Sequence, residues 1–330
     1  TFRADIKAIR RAITPNSILL VGSAPSYAHG VVDPIEEMGA IAQKEGLLLH
    51  VDACIGGFQL PFFARLGATV PIFDFRVPGV TSISMDLHKY AYAAKGASLV
   101  LYRDSELRRH QIFSCSHWSG YSVVNNTLQG SKTGGAVAAA WAVVNYLGEE
   151  GYLKLTKLVL DATNHIVTAV NSMEDLEVMG RPDMSLVAIS SSTIDIFRLA
   201  DELTRRGWFI QAQLSFATSR ENLHLTVTPG NAPCAAELVD DLRECIQIIK
   251  EQPSPPLPAA LIQGLTTIDP DQLGPSAFSS ILAMAGIEGT DLPEDRAMVN
   301  NLLNALPPSV REPLLAEFFN QLFVSPNGDQ

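Results

Sequence analysis

The chain has 330 residues, 47% of them apolar, and a formal net charge of -11. That length suits one large α/β domain with a smaller one, and the negative balance excludes nonspecific attraction to nucleic acid or an anionic membrane while leaving room for a locally cationic pocket. Cys54, Cys115, Cys234 and Cys245 lack metal-ligand spacing and read as reduced thiols of a cytosolic compartment, no metal is expected, and no apolar run reaches the length of a membrane span. The opening TFRADIKAIRRAI predicts an amphipathic helix, and a chain that enters a helix at its first residue, without Met, is expected to have lost upstream sequence, any membrane anchor included. Ser17 to Ser23 (SILLVGS) predicts a buried strand. Pro25, Gly30 and Asp33-Pro34 punctuate a loop, after which Asp33 is expected to cap a helix with Pro34 in its first turn, ended by Gly46.

Leu47 to Asp52 (LLLHVD) and Thr81 to Met85 (TSISM) predict further buried strands, with Ala97 to Tyr102 (ASLVLY) close behind. Strand, helix, strand in this order implies a mostly parallel sheet. An Ala-rich helix is expected over Gly134 to Leu147, stopped by Gly148, and a second from about Tyr152 to Ser172. Beyond it, Leu176 to Met179, Ser185 to Ser191, Trp208 to Gln213 and Leu223 to Thr228 read as strands, and Asp195 to Arg206 and Cys234 to Lys250 as helices. The expected division is a large domain over 1–150, a connecting helix over 151–172, a small α+β domain over 173–252, and over 253–330 a linker with Pro253, Pro255, Pro256 and Pro258 leading to a helical tail without catalytic signal.

Two segments point to chemistry. In TSISMDLHKYAYAAKGASLVLY a strand is expected to end at His88-Lys89, and ligands in open α/β sheets gather beyond the carboxyl ends of strands. By itself, a lysine there is more often a solvated surface residue. Asp52 ends the preceding strand before Ala53-Cys54-Ile55-Gly56-Gly57, and a carboxylate so placed can hold a pyridine nitrogen protonated, although it also suits a helix cap. Lys89 would supply an amine for an imine, made nucleophilic by desolvation and a nearby cationic ring, both of which depress its pKa.

The pairing of HVDACIGGF (His50 to Phe58) with SMDLHKYAYAAKGAS (Ser84 to Ser98) resembles the group II pyridoxal-phosphate-dependent decarboxylase family. GSAPSYAHGVVDPI, DFRVPGVTSIS, LQGSKTGG and the late GWFIQ with LHLTVTP are similar to its sphingosine-1-phosphate lyase branch, over nearly the whole chain to about Lys250. The resemblance implies a type I, aspartate aminotransferase-like fold, with residues 1–150 forming the carboxyl-terminal part of the cofactor-binding large domain. It implies a homodimer with shared active sites, and retro-aldol cleavage of a phosphorylated long-chain base into a fatty aldehyde and phosphoethanolamine. Lys89 would carry pyridoxal 5'-phosphate as a Schiff base and Asp52 would pair with its ring nitrogen. His88 would contact the cofactor phosphate, as would Gly130 and Ser131, reaching over from the neighbouring subunit. Tyr27 and Lys95 would serve the substrate phosphate or proton transfer, with His29 and Tyr121 as further loop candidates. His110, His165 and His224 read as structural or surface residues.

A Gly-Thr-rich loop and a ring-stacking His, which the family carries upstream of Thr1, are not in this sequence, so a fragment is expected, cytoplasmic or at the cytosolic face of a membrane. Ala91 and Ala93-Ala94 stand where the family tends to have Gly and Ala-Pro. An amino-acid decarboxylase of the same family and a noncatalytic dimeric scaffold are the competing expectations.

Overall fold

The computed structural model describes residues 1–253 and 293–323. In chain order the elements begin with α1 (Ile6–Ala12), β1 (Leu19–Ser23), α2 (Ile35–Glu45), β2 (Leu48–Asp52), α3 (Gly56–Arg65), β3 (Ser82–Asp86) and β4 (Ser98–Tyr102). Then come α4 (Ser105–Arg109), β5 (Phe113–Cys115), β6 (Val123–Asn125), α5 (Gly135–Asn171), β7 (Glu177–Val178), β8 (Leu186–Ser190), α6 (Ile196–Arg205), β9 (Gln211–Gln213), β10 (Asn222–Thr226) and α7 (Ala235–Glu251). α8 (Ala297–Ala305) and α9 (Pro308–Gln321) follow. Most of the expected linker, including Pro255, Pro256 and Pro258, lies outside the described residues.

The first sheet has the order β1-β2-β3-β4. β1, β2 and β3 are parallel and β4 pairs antiparallel with β3, which makes the sheet mostly parallel. Apolar runs place Leu49, Val51 and Ile83 out of water, and α2 packs on β1 and β2 with Ile35, Met38 and Ile41 buried. α2 starts differently from the sequence expectation. Asp33 does not cap it, because its carboxylate accepts the N–H groups of Ser23 (2.8 Å) and Ala4 (2.9 Å) and so ties the end of β1 to the segment before α1. Pro34 is itself the N-cap residue. α5 is interrupted at Gly148, whose φ of 57° and ψ of -175° break the helical path where the sequence places a stop.

A second sheet has the order β7-β8-β10-β9, with every residue of β8 buried. Asp195 caps α6 by accepting the N–H of Phe197 (2.9 Å). Asp201, on α6, accepts the N–H groups of Arg296 (3.0 Å) and Ala297 (2.7 Å) at the start of α8. Burial raises the pKa of this carboxyl despite those bonds.

The fold divides into two compact units that are not contiguous in sequence. One comprises Thr1–His165, Gly180–Val187 and Thr226–Pro233, and the other Ile166–Met179, Ala188–Leu225 and the described residues from Cys234 onward. Two short returning segments thus belong with the first sheet's unit. Gly30 shows how closely one of them approaches: a Cβ there would lie 2.1 Å from the Leu186 carbonyl oxygen, at a φ of +67°. Gly30→Ala is therefore expected to destabilise the protein by at least about 2 kcal/mol through left-handed strain and overlap, read as a lower urea midpoint at unchanged slope.

Candidate functional site

β2 and β3 run parallel side by side, so their carboxyl ends open on one edge of the sheet. Asp52 closes β2 and Asp86 closes β3. His88 and Lys89, expected within the strand end, sit in the turn after it, where the N–H of Lys89 donates to the Asp86 carbonyl (3.2 Å). The turn brings Lys89 Nζ to 3.0 Å from Cys54 Sγ and 3.0 Å from Asp86 Oδ2.

Cys54 joins the two residues singled out in the sequence. Its backbone N–H donates to Asp52 Oδ1 (3.1 Å), as does the hydroxyl of Ser84 (3.2 Å). Burial raises the Asp52 pKa, but hydrogen bonds from Cys54 and Ser84, with His50 nearby, outweigh it and hold the carboxyl below the ordinary range. Lys89 departs from expectation. Burial lowers its pKa, yet the hydrogen bonds to Cys54 and Asp86 prevail and the amine stands above its usual value. The thiol of Cys54 is pushed up by burial, and the Lys89 contact partly restrains it.

A cavity of about 650 Å³ opens beside Lys89, lined by Tyr27, Ile55, Tyr92, Leu147, Leu155, Leu186 and the segment around Pro229 among others. Its walls are chiefly apolar. Tyr90 also lines it and is buried; its phenol donates to the Val227 carbonyl (3.0 Å), accepts from Ser185 (2.8 Å), and has a pKa pushed up to about 12 by burial. The hydroxyl of Tyr92 is buried without a hydrogen-bond partner among the described residues.

The other sequence candidates are placed unevenly. Tyr27 reaches the cavity with Lys89. His88 lies against the strand end, its Nδ1 2.9 Å from the Ala97 carbonyl, which only accepts, so Nδ1 carries the proton. Lys95 is exposed in the turn before β4 and does not line the cavity. Gly130 and Ser131 are exposed between β6 and α5, away from the cavity lining. His29 stacks on Phe2 with ring centroids 3.9 Å apart, and Tyr121 packs edge-on against Trp118. Cys54, Asp86, Ser84, Tyr90 and Tyr92 escaped the sequence reading; the strand pattern that locates Asp52 also locates Ser84 and Asp86, but their pairing depends on register. Among the described residues, no His, Cys, Asp or Glu cluster is arranged for a metal ion, and no helix is long and apolar enough to cross a membrane.

A mostly parallel sheet with a carboxylate and a lysine meeting beyond adjacent strand ends is the architecture of type I pyridoxal-phosphate-dependent enzymes. The likeness extends to solved structures. A sphingosine-1-phosphate lyase of Burkholderia pseudomallei matches with a TM-score of 0.71 and 38% identity, over 75% of this chain and 56% of that one. A glutamate decarboxylase of Lactobacillus brevis, 18% identical, shares the fold with a TM-score of 0.66 over 77% of this chain and 60% of its own. Residues 7–191 match the pyridoxal-dependent decarboxylase conserved domain, and the chain belongs to that family. Residues 259–321 match a putative helix-turn-helix domain found at the carboxyl terminus of pyridoxal-dependent enzymes. Among curated relatives, the sphingosine-1-phosphate lyase of Arabidopsis thaliana is 46% identical over 255 residues, covering 77% of this chain and 46% of its own length. That of Saccharomyces cerevisiae is 39% identical over 267 residues, covering 79% and 45%. The chain thus spans about half the length of the curated relatives it matches.

The residues present fit pyridoxal phosphate. An ionised carboxylate suits a protonated ring nitrogen, and a primary amine stands in the same cluster, linked to it through Cys54. The cluster makes its own prediction in cofactor-free protein. Lys89→Met removes the cation that restrains the Cys54 thiol, so its pKa should rise and its alkylation by iodoacetamide at pH 8 should slow several-fold. Peptide-level mass spectrometry reads the rate at Cys54 separately from Cys115, Cys234 and Cys245, and equal rates in the two proteins would contradict the geometry.

Proposed function

We propose that the protein containing this chain is a pyridoxal-phosphate-dependent carbon–carbon lyase that cleaves a sphingosine or sphinganine 1-phosphate into a fatty aldehyde and phosphoethanolamine. The observation that carries the reading is the meeting of Lys89 with Asp52 through Cys54, beside an apolar cavity of about 650 Å³. Identities of 38% to 46% to proteins named sphingosine-1-phosphate lyases support the choice of substrate.

Bound pyridoxal phosphate supplies an electron sink for the pair released when the C2–C3 bond of the substrate breaks. Asp52, ionised at neutral pH, holds the positive charge that makes the sink effective. Lys89 is the anchoring amine, and with its pKa raised by Cys54 and by Asp86 Oδ2, 3.0 Å from Nζ, it must first give up a proton, which the positive charge of a bound ring would favour. Tyr27 binds the substrate phosphate or moves the proton of the C3 hydroxyl, and Lys95 neutralises the phosphate. His88, with Gly130 and Ser131, holds the cofactor phosphate. The apolar walls take the alkyl chain and keep water from the reacting bond.

The assembly we infer is a homodimer in which Gly130 and Ser131 serve the neighbouring subunit. Support comes from large apolar side chains exposed close together in sequence, among them Phe113, Trp118, Tyr121, Val124, Leu128, Trp141 and Tyr146. Four free cysteines agree with work in the cytoplasm or at the cytosolic face of a membrane.

Adding pyridoxal phosphate to the purified full-length protein should produce a near-ultraviolet to visible absorbance band that Lys89→Ala abolishes. The wild type should release a fatty aldehyde from sphingosine 1-phosphate; carbon dioxide from glutamate or an aromatic amino acid, without aldehyde, would instead assign a decarboxylase. Lys95→Gln should keep the band while raising KM for the phosphorylated substrate by roughly 10- to 100-fold, the worth of one charge-assisted contact, and an unchanged KM would remove Lys95 from the phosphate site.

A further inference from the structure

Strands of a parallel sheet are normally near-continuous apolar runs. β2 and β3 depart from this by placing four polar side chains on one face, paired across the strands as His50 with Ser82 and Asp52 with Ser84. The pairs are chained by hydrogen bonds. Nδ1 of His50 lies 2.8 Å from the Ser82 hydroxyl, Nε2 lies 3.2 Å from the Ser84 hydroxyl, and Ser84 Oγ lies 3.2 Å from Asp52 Oδ1.

Chemistry fixes the direction of this chain. An ionised carboxylate only accepts, so Ser84 gives its proton to Asp52 and its oxygen is left to accept from Nε2–H of His50. A neutral ring protonated at Nε2 has a bare Nδ1, which accepts from Ser82. All three bonds therefore point the same way, from Ser82 through His50 and Ser84 to Asp52, and each polarises the next. Burial lowers the pKa of His50, against the pull of Asp52, which favours the neutral ring this direction requires.

We propose that His50, aligned by Ser82 and acting through Ser84, is a positioning residue that orients the Asp52 carboxylate and keeps it ionised for the ring nitrogen of the cofactor. This rests on the pyridoxal-phosphate reading of the site. His50 acts through Ser84, and so sets how firmly Asp52 holds its charge. The other titratable groups around Asp52 among the described residues are Cys54, which bonds it directly, and Lys89 and Asp86, which reach it through Cys54.

The test uses full-length protein and two readouts. In the cofactor-free state, carbon-13 NMR follows the titration of the Asp52 carboxyl in wild type, His50→Phe, His50→Gln and Ser84→Ala. The midpoint should rise by roughly one pH unit in His50→Phe and by a similar amount in Ser84→Ala, because either change breaks the same chain. It should return toward the wild-type value in His50→Gln, whose amide N–H can stand in for Nε2–H. In the loaded protein, His50→Phe should bind pyridoxal phosphate about tenfold more weakly, matching that shift, and its absorbance should change with pH where the wild type's is steady.

A midpoint unmoved in both His50→Phe and Ser84→Ala, or unrestored in His50→Gln, overturns the proposal. Ser84→Ala carries the test alone if His50→Phe fails to fold. Normal cofactor uptake with an unmoved Asp52 midpoint overturns the relay and spares the cofactor reading. No uptake by the wild type overturns the cofactor reading and the role assigned to His50, while the hold of the chain on Asp52 is still read from the titration.

Discussion

Burial works against the Asp52 carboxylate, and its survival as an anion at the end of β2 is the constraint around which the site is organised. A carboxyl moved from water into a sheet edge gains a proton unless donors replace the lost hydration. Here the donors come from two directions, the backbone and side chain of Cys54 just beyond the strand and the hydroxyl of Ser84 on the neighbouring strand. The Ser84 donor depends on the fold, because Ser84 faces Asp52 only in the register that pairs the two. A one-residue slip would turn Ser84 to the other face and leave the carboxylate with the Cys54 donors alone.

Lys89 is the counterpart of that constraint. Its amine is placed by a turn rather than by a strand, and Cys54 and Asp86 hold it there. Cys54 and Asp86 keep the cation stabilised, which means that proton loss needs an accepting partner or a competing positive charge. A cationic ring brought beside Asp52 would be such a charge. The depressed lysine pKa expected from the sequence is not what the amine shows among its protein neighbours, where hydrogen bonds to Cys54 and Asp86 raise it.

What was legible in the sequence follows from what each feature depends on. The strands carrying Asp52 and preceding Lys89 are short apolar runs between turn residues, and local pattern places them within a residue or two of their observed ends. Asp33 was misread because Asp before Pro has the form of a helix cap, whereas two N–H groups from elsewhere in the fold compete for its carboxylate. α3 was missed because it opens on two glycines and contains Pro61, so propensity argues against a helix that packing on β3 supports. The hairpin of β5 and β6 is too short to show alternation. The return of Gly180–Val187 and Thr226–Pro233 to the first unit is a matter of topology, and no local signal marks it.

The same distinction holds within the site, where residue identity announced Asp52 and Lys89 but the contacts between them came from register and turn geometry. Cys54 shows this best: in sequence it is one small residue in a turn, while in the fold it bonds the acid on one side and the amine on the other. The apolar cavity bears on the amine's contact, since Lys89 shares its lining with Leu147, Leu155 and Leu186 and a charge there is screened less than one facing water. A long alkyl chain lying against those walls would displace more water from around Lys89. A substrate without such a chain would leave the cavity wet and the charges partly screened. The apolar walls thus offer a surface suited to a hydrocarbon group more than to a charged one.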